Sequence, residues 1–276
     1  MSKTSLIIIS HNYGKYLKEA IDSGLKQTLK PAEIIVINDA STDNTGEIAK
    51  QFGDLIRYYE VNYQNAQKVR NFGLKKISSK YVLFLDADDY LREDCIEKME
   101  KEMEKDEKLA LVYSDRINFE QRGFKKENFT NLLSRNFDFE KLKRVNYISL
   151  TSLIRMDSFK GFDEHIERFQ DWEAWINMLK DGIKAKRIPE PLFYVRFHGT
   201  NKTKTISGTK ERLKILVKHN FSDVLEEDII LKKEKLDQMT KEKEKLKKEI
   251  QLMKNSKFWK AREFYMKIKK SLTKNK

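Results

Sequence analysis

The chain of 276 residues is long enough for one large domain with an appendage or for two small domains, and its 39% hydrophobic content supports a sizeable core. No apolar run reaches the roughly 18 residues that a membrane-spanning helix requires, and the single cysteine, Cys95, excludes an internal disulfide. The formal net charge of +13 is concentrated at the end of the chain, where Glu263 is the one acidic residue of 254–276.

The first residues, "MSKTSLIIIS", lack the long apolar run and the small-residue cleavage site of a signal peptide. We therefore expect a cytoplasmic protein, and we also consider peripheral contact with the inner face of the membrane. The basic tail fits an anionic partner such as membrane phosphate or nucleic acid. A lysine-rich end that only raises solubility is an equally good interpretation.

Strand-like apolar runs alternate with amphipathic helical segments over the first part of the chain. Continuous apolar runs are typical of strands that are covered on both faces of a sheet. The order predicts an α/β fold with a mainly parallel central sheet and helices on both faces. The predicted strands are 4–10, 33–38, 55–61, 81–85 and 109–115, and the predicted helices are 13–28, 44–52, 65–78 and 92–106.

The middle of the chain is less regular. Residues 116–150 have little periodicity and many aromatic side chains, which predicts a long irregular segment, often a functional one. An amphipathic helix is predicted for 166–181, ended by Gly182. The sequences "IKAKRI" and "LFYVRF" predict two short strands that bracket Pro189 and Pro191.

The composition changes beyond about Glu211. Apolar residues recur there on the a and d positions of a heptad frame that Lys232 and Lys243 interrupt, and about four heptads favour a coiled coil over one long solvated helix that packs on the domain. The pattern is compatible with a homo-oligomer formed through this helix. The apolar positions are Leu225, Ile229, Leu236, Met239, Leu246, Ile250 and Met253.

A basic amphipathic segment, "SKFWKAREFYMKIKKSL", ends the chain. Its aromatic residues among lysines fit a membrane interface or a groove on a partner protein. The predicted domains are therefore an α/β domain over 1–210 and a helical, coiled-coil and basic tail over 211–276.

Two of the predicted strands end in carboxylates. Asp39 follows 33–38, and Asp86 and Asp88 follow 81–85. The carboxyl ends of parallel strands lie at one edge of the sheet, where ligands bind. Residues two apart on a strand point the same way, so Asp86 and Asp88 could meet at one ligand.

Clustered carboxylates repel each other unless a cation lies between them. Hard oxygen ligands suit Mg²⁺ or Mn²⁺, whose coordination is commonly completed by substrate phosphates and water. The predicted ligand is therefore a metal-bound diphosphate. In the alternative interpretation, Asp88 and Asp89 cap the helix that follows them.

Neither phosphate-binding glycine motif, GxxxxGK[ST] or GxGxxG, occurs in the chain. A nucleotide would therefore be held by carboxylates, a metal and basic side chains. Arg70, on the helix before the fourth predicted strand, is a candidate partner for phosphate. On its own, an exposed helix arginine explains this residue equally well.

Four blocks, in order, resemble family 2 glycosyltransferases over about residues 4–205. They are "SLIIISHNYGKYLKEAIDSGLKQTLKPAEIIVINDASTDNT", "NAQKVRNFGLKKISSKYVLFLDADDYL", "GFDEHIERFQDWEAWINML" and "FYVRFHGTNKT". The resemblance implies an inverting, metal-dependent enzyme with the GT-A fold, a Rossmann-like α/β arrangement. A C-terminal helical extension follows it.

The resemblance implies roles on the nucleotide side of the site. Ser10 and His11 would line the nucleoside pocket, and Asp39 would hydrogen-bond the base, for which uracil is favoured. Arg70 would lie beside the base and the diphosphate.

It also implies the residues of metal binding and catalysis. Asp86, Ala87 and Asp88 match the DxD motif, with Asp88 as the main metal ligand and Asp86 at the ribose or the metal. Asp171 would be the catalytic base, and His198 would reach the metal or the diphosphate. The implied cofactor is Mn²⁺ or Mg²⁺.

Asp171 lies in "FQDWEAW", where Trp172 and Trp175 could raise its pKa and stack on a sugar face. Without the family match, an acid near the start of a helix beside two core tryptophans explains the pattern equally well.

Four positions depart from the usual family pattern. His11 stands where the family commonly has tyrosine, Asn38 replaces the first aspartate of a pair, and Gln170 replaces the glutamate before Asp171. In addition, "KGFDE", which begins at Lys160, stands where "GGFDE" is common. None of these changes removes a group that the reaction needs. The change at Gln170 bears on contacts with the acceptor.

The expected activity is transfer of a sugar from a nucleotide-diphosphate sugar, with a UDP-sugar favoured, to a hydroxyl group with inversion. The acceptor would be a glycan or a lipid-linked molecule in surface polysaccharide or glycan synthesis. The alternative is a scaffold, or a protein that binds nucleic acid or a membrane through its basic coiled-coil tail. Carboxylates at the strand ends argue against a nucleic-acid surface on the main domain, because they would repel phosphate.

Overall fold

The computed structural model describes residues 2–123, 125–198, 208–255 and 262. The chain divides into two compact units, 1–220 and 221–276. The predicted domains, 1–210 and 211–276, divide it earlier and stay a prediction.

Nine strands form one mixed sheet in the described part of the chain, in the order β3-β2-β1-β4-β8-β6-β9-β5, with β7 paired to β6. The first four strands pair in parallel, β8 is antiparallel to both of its neighbours, and β6 and β9 are parallel. The strands are β1 (Thr4–Ser10), β2 (Glu33–Asp39), β3 (Arg57–Val61), β4 (Tyr81–Asp86), β5 (Tyr90–Leu91), β6 (Leu109–Arg122), β7 (Lys125–Leu132), β8 (Leu153–Arg155) and β9 (Lys184–Phe197).

The α-helices follow the predicted alternation in the first half of the chain. Short 3₁₀ turns cover Gly53–Leu55, Met156–Ser158 and Lys180–Gly182. The helices are α1 (Gly14–Leu25), α2 (Thr45–Lys50), α3 (Ala66–Leu74), α4 (Cys95–Met103), α5 (Phe139–Arg144), α6 (Gln170–Leu179), α7 (Gly208–Lys218) and α8 (Ser222–Asn255).

β1 lies at the centre of the parallel block and is buried along nearly its whole length. Ile7 is paired with Ile35 of β2 on one side and with Phe84 of β4 on the other. Because both edges of β1 are hydrogen-bonded and both faces are covered, its sequence is a continuous apolar run rather than an alternating one. The mainly parallel arrangement expected around this strand is confirmed.

The prediction of a long irregular segment over 116–150 is wrong for its first part. β6 continues to Arg122, and β7 returns beside it as the second strand of a hairpin. Most side chains of β7 are exposed and polar, so no apolar periodicity indicated a strand. Backbone hydrogen bonds to β6, which do not depend on side-chain identity, hold it in place.

The two short strands predicted around the prolines are one strand, β9, which runs beside β6. The pairing register shifts near Asp115, and Pro191 lies opposite that residue. Since proline has no N–H to donate to a neighbouring strand, it is tolerated at such an irregularity.

α8 is a 34-residue helix whose one buried residue is Val224. In the described ranges, no helix combines the length and the apolarity that crossing a bilayer requires. The basic amphipathic segment predicted after Asn255 lies outside the described residues except for Arg262, so its contact with a membrane or a partner stays a prediction.

Candidate active site

A cleft of about 510 Å³ opens at the carboxyl ends of β1, β2 and β4. The strands β1, β2 and β4 end at Ser10, Asp39 and Asp86, so their parallel register brings these three residues to one edge. This is the edge where ligands bind in parallel sheets. The cleft is lined by Ile9, Ser10, His11, Tyr13, Asp39, Gln64, Asn65, Ala66, Val69, Arg70, Asp86, Ala87, Asp88, Asp89, Gln170, Val195 and Arg196.

Asp39 organises the end of the cleft beside β2. Its Oδ1 accepts hydrogen bonds from the backbone N–H groups of Tyr63 (2.7 Å) and Gln64 (3.0 Å), which fixes the loop after β3. The ring of His11 lies against the same residue, with Nδ1 2.5 Å from the Asp39 carbonyl oxygen. Ser10 is buried, and its Oγ has no hydrogen-bond partner among the described residues.

Arg70 reaches the cleft from α3. Its Nη2 donates to Asp86 Oδ1 at 3.0 Å, and its guanidinium lies 5.6 Å from the centre of the Phe162 ring. Only 3% of the residue is exposed, yet Nε and Nη1 have no hydrogen-bond partner among the described residues. Buried donors without a partner are costly, and these two belong to a residue that lines a cleft which an anionic ligand could fill.

Asp88 and His198 form a pair between the end of β4 and the end of β9. His198 Nε2 lies 3.0 Å from Asp88 Oδ2, and both side chains are largely buried. The ring of Tyr13 lies 5.5 Å from the His198 ring. Burial, together with the charges of Asp88 and Asp86, raises the pKa of Tyr13, which keeps its hydroxyl protonated.

Asp89 accepts a hydrogen bond from β9 and does not cap the helix that follows it. α4 begins only at Cys95 and its N-cap is Asp94, so the interpretation that Asp88 and Asp89 cap this helix is wrong. Asp89 Oδ1 instead accepts from the backbone N–H of Arg196 at 2.9 Å. Burial and the neighbouring carboxylates raise the pKa of Asp89 well above its ordinary value.

Arg196 of β9 connects Asp88 at the sheet edge to helix α1. Its Nε donates to the Asp88 carbonyl oxygen (2.7 Å), and its Nη2 donates to Glu19 of α1 (2.6 Å). The guanidinium also lies 4.4 Å from the centre of the Tyr16 ring. These contacts hold the backbone at Asp88 in place, so the direction of its carboxylate is set from outside β4.

Asp171 lies in the first turn of α6, next to Gln170, which lines the cleft. Its Oδ2 accepts from Asn146 Nδ2 at 2.9 Å and its Oδ1 from the Trp172 N–H at 2.9 Å. Burial raises the pKa of the carboxyl, while these hydrogen bonds and the charge of Arg70 act in the opposite direction. The raised pKa makes this carboxylate a better proton acceptor.

The two tryptophans beside Asp171 belong to the core. Trp172 Nε1 donates to the Leu142 carbonyl, Trp175 Nε1 donates to the Ile148 carbonyl, and both side chains are almost completely buried. The prediction that they stack on a sugar face is therefore wrong. Their hydrogen bonds attach α6, and with it Asp171, to the segment that carries Asn146.

The described side chains of the cleft supply only some of the ligands that a metal ion needs. In the described ranges, no group of three or more His, Cys, Asp or Glu side chains is placed to hold a metal ion. Asp88 with His198, and Asp86 next to them in the lining, offer oxygen and imidazole ligands. Such a set fits Mg²⁺ or Mn²⁺ when a diphosphate and water supply the remaining ligands.

The structure brings most of the predicted residues together at one edge, but Asp171 and His198 are not among the residues that line the cleft. Ser10, His11, Asp39, Arg70 and 86–88 line the cleft, His198 contacts Asp88, and Asp171 follows a lining residue.

Sequence reasoning missed several supporting residues. Asn146 and Arg196 orient Asp171 and Asp88, and Tyr13 and Asn65 line the cleft. The position of Tyr13 after the first strand was a usable signal. Asn146 and Arg196 are distant in sequence from the residues they hold, so no local pattern indicated them.

The model of glycosyl transferase family 2 matches residues 5–166. An uncharacterized glycosyltransferase of Rickettsia felis is 29% identical over 238 residues, which are 82% of this chain and 39% of the relative. A chondroitin synthase of Pasteurella multocida is 28% identical over 208 residues, which are 71% of this chain and 21% of the relative. The chain thus spans well under half the length of both relatives.

The fold is similar to that of TarS from S. aureus, whose 1–349 fragment has been solved in complex with UDP-GlcNAc. The TM-score is 0.63 at 18% sequence identity, with 78% of this chain and 64% of that chain covered. At this level of identity the likeness establishes the α/β fold.

Proposed function

This chain belongs to glycosyl transferase family 2, with a GT-A-like α/β fold, and on that premise we propose that it transfers a sugar from a nucleotide-diphosphate sugar to an acceptor hydroxyl. The observation that carries the proposal is the convergence of a nucleotide-sized cleft, an arginine with two unsatisfied donors and several carboxylates at one sheet edge. We further propose a UDP-sugar as donor and a glycan or lipid-linked molecule as acceptor, in polysaccharide or glycan synthesis.

The nucleoside would lie at the ends of β1 and β2. Asp39 has one carboxylate oxygen committed to the loop after β3, so its other oxygen is the candidate acceptor for the N–H of a uracil. His11 and Ser10 line the same end. The unsatisfied Nε and Nη1 donors of Arg70 suit the oxygens of the diphosphate.

Asp88 and His198 would hold a divalent cation, Mn²⁺ or Mg²⁺, with Asp86 beside them. When bound, the cation would act as a Lewis acid that neutralises charge on the diphosphate. Arg196 would keep Asp88 in position for this task, because it holds the Asp88 carbonyl from a different strand.

Asp171 would act as the general base. It would take the proton of the acceptor hydroxyl as that oxygen forms a bond to the anomeric carbon and the bond from this carbon to the diphosphate oxygen breaks. The displacement inverts the anomeric configuration. The raised pKa of Asp171 and the hydrogen bond from Asn146 support this role, because together they make an oriented carboxylate with increased proton affinity.

The scaffold alternative, in which the protein acts through its basic coiled-coil tail, finds no support in the three relatives described above. It predicts a cleft that binds no nucleotide.

Thermal unfolding of the full chain tests the proposal. We expect UDP together with Mn²⁺ to raise the melting temperature more than either one alone, because a ligand at about 100 times its Kd stabilises a folded protein by about 2.7 kcal/mol. GDP and TDP serve as comparisons for the base. An unchanged melting temperature with every nucleoside diphosphate and either metal would overturn the proposal.

A further inference from the structure

α8 presents an exposed apolar stripe along its whole length. Ile229 and Leu236 are each 63% exposed, and Leu246 and Ile250 are about half exposed. They lie in the heptad frame described above, so they form a single seam on one side of the helix. A stripe of this kind on a 34-residue helix is typical of a coiled-coil strand rather than of a solvated helix.

The residues of the seam favour a coiled coil of two helices. In this frame Ile229, Leu236 and Ile250 occupy a positions, and Leu246 and Met239 occupy d positions. Isoleucine at a with leucine at d favours a two-stranded parallel coiled coil, and Ile229, Ile250 and Leu246 follow this pattern whereas Leu236 does not. Lys232 at d and Lys243 at a interrupt the seam, and polar residues at such positions specify register at a cost in stability.

The residues that flank the seam carry the argument for a second copy of the same chain. In a parallel, in-register dimer, each g position faces the e position five residues later on the other helix. Here Glu242 would face Lys247, and Glu249 would face Lys254. Asp228 and Lys233 make a third pair of opposite charge, and Lys235 opposite Thr240 is neutral.

An antiparallel arrangement is less complementary. There e positions face e positions and g positions face g positions. With the two seams centred on each other, Glu226 would face Lys254 and Lys235 would face Glu249, but like charges would also meet, at Lys233 with Lys247 and at Glu242 with its own copy. The parallel register has opposite-charge pairs and no like-charge pair, so the charges favour the parallel orientation.

We propose that α8 forms a parallel, in-register, two-stranded coiled coil with α8 of a second copy of this chain. The occupant of the seam is thus the same helix, and the charged pairs at e and g set its orientation. The proposal is independent of the sugar-transfer activity.

The seam is tested by sedimentation equilibrium of the full chain. We expect a dimer for the unchanged protein, and we expect Leu246→Lys to weaken the dimer by about a hundredfold because it removes two buried side chains per dimer. The matched control is Leu252→Lys, since Leu252 is exposed on the same helix but lies at a c position. A monomeric unchanged protein, a trimer, or equal loss in both variants would overturn the proposal.

The charge pairs are tested by exchange. Glu242→Lys and Lys247→Glu should each weaken the dimer by about tenfold, and the double exchange should restore it. Residues five apart are not neighbours on a single helix, so restoration cannot come from contact within one chain. Additive loss in the double variant would refute the parallel register.

The orientation is tested by oxidative cross-linking of Ile250→Cys. A parallel pair places the two introduced thiols opposite each other, within disulfide reach. An antiparallel pair centred on the seam would separate the two positions by about 27 Å along the axis. Cys95 is buried, so the unchanged chain is the control for background cross-linking. A dimer that fails to cross-link at this position would overturn the parallel orientation.

Discussion

Four aspartates at the cleft have four different environments, although the sequence presents them as similar carboxylates. Asp86 is paired with Arg70, Asp88 with His198, and Asp89 with the backbone of Arg196. Asp171 is held by Asn146 and has a raised pKa. Different partners and burial give each carboxylate different contacts and a different direction, and therefore a different proposed task.

The division of labour between Asp88 and Asp171 can be measured. Asp88→Asn should weaken binding of UDP in the presence of Mn²⁺ by about a hundredfold, because it removes a charged ligand of the cation. Asp171→Asn should leave that affinity unchanged and lower kcat by about a thousandfold, because an amide cannot accept the proton. Calorimetry and UDP release provide the two readouts.

The matched control for both variants is Asp54→Asn, an exposed residue outside the cleft. Equal loss of nucleotide affinity in the Asp88 and Asp171 variants would refute the assignment of separate roles.

The hydrogen bond from Asn146 to Asp171 predicts a change in pH dependence. Because the pKa of Asp171 is raised, activity should fall as the pH drops through that pKa and the carboxyl becomes protonated. Asn146→Ala removes a donor that stabilises the charged form, so the pKa should rise further and the acid limb of kcat/KM should move to higher pH. A lower rate at every pH without such a shift would contradict a direct action on Asp171.

At the scale of elements, α3 positions Arg70 because it lies close to the sheet. A Cβ at Gly73 would lie 2.9 Å from Ile37 Cδ1 and 3.1 Å from two atoms of Ile7. Asn65 caps the other end of the helix, where its Oδ1 accepts from the Lys68 N–H at 2.9 Å. The helix is therefore fixed both at its start and at its contact with β1 and β2.

Gly73→Val should lower the free energy of unfolding by about 2 kcal/mol, because the added side chain has no room between the helix and the sheet. It should also weaken nucleotide binding through the displacement of Arg70. The control is Lys68→Val, which places the same side chain at an exposed position of the same helix and should cost less than about 1 kcal/mol. Denaturant unfolding measures the free energy of unfolding of both variants. Equal losses would contradict the explanation that Gly73 is needed because α3 lies close to the sheet.

The elements show where local pattern is informative. The buried strands β1, β2 and β4 were predicted within one residue, because burial on both faces requires continuous apolar runs. β7 was missed since pairing with β6, rather than its own apolar pattern, makes it a strand. β9 was predicted as two strands because proline usually interrupts a strand. The structure keeps it as one strand, since Pro191 lies where the pairing register with β6 shifts.

At the scale of the whole molecule, the cleft residues named above lie within the first compact unit, and α8 beyond Val224 is largely exposed. Deletion of residues 225–276 should therefore leave the Kd for UDP with Mn²⁺ within about twofold and should convert a dimer to a monomer. Calorimetry and sedimentation measure the two effects. Loss of nucleotide binding in the shortened chain would show that the two units are not independent.

The α/β class and the aspartates at the strand ends follow from the chain alone, because they depend on local apolar pattern and on the rule that parallel strands end at one edge. The four blocks that resemble the family can also be recognised without a structure. Other features are visible only in the folded chain: Asp89 accepts a hydrogen bond from the Arg196 backbone, the tryptophans are core, and Asn146 orients Asp171. Such contacts join residues far apart in the chain, so only the packing of the elements brings them within hydrogen-bond distance.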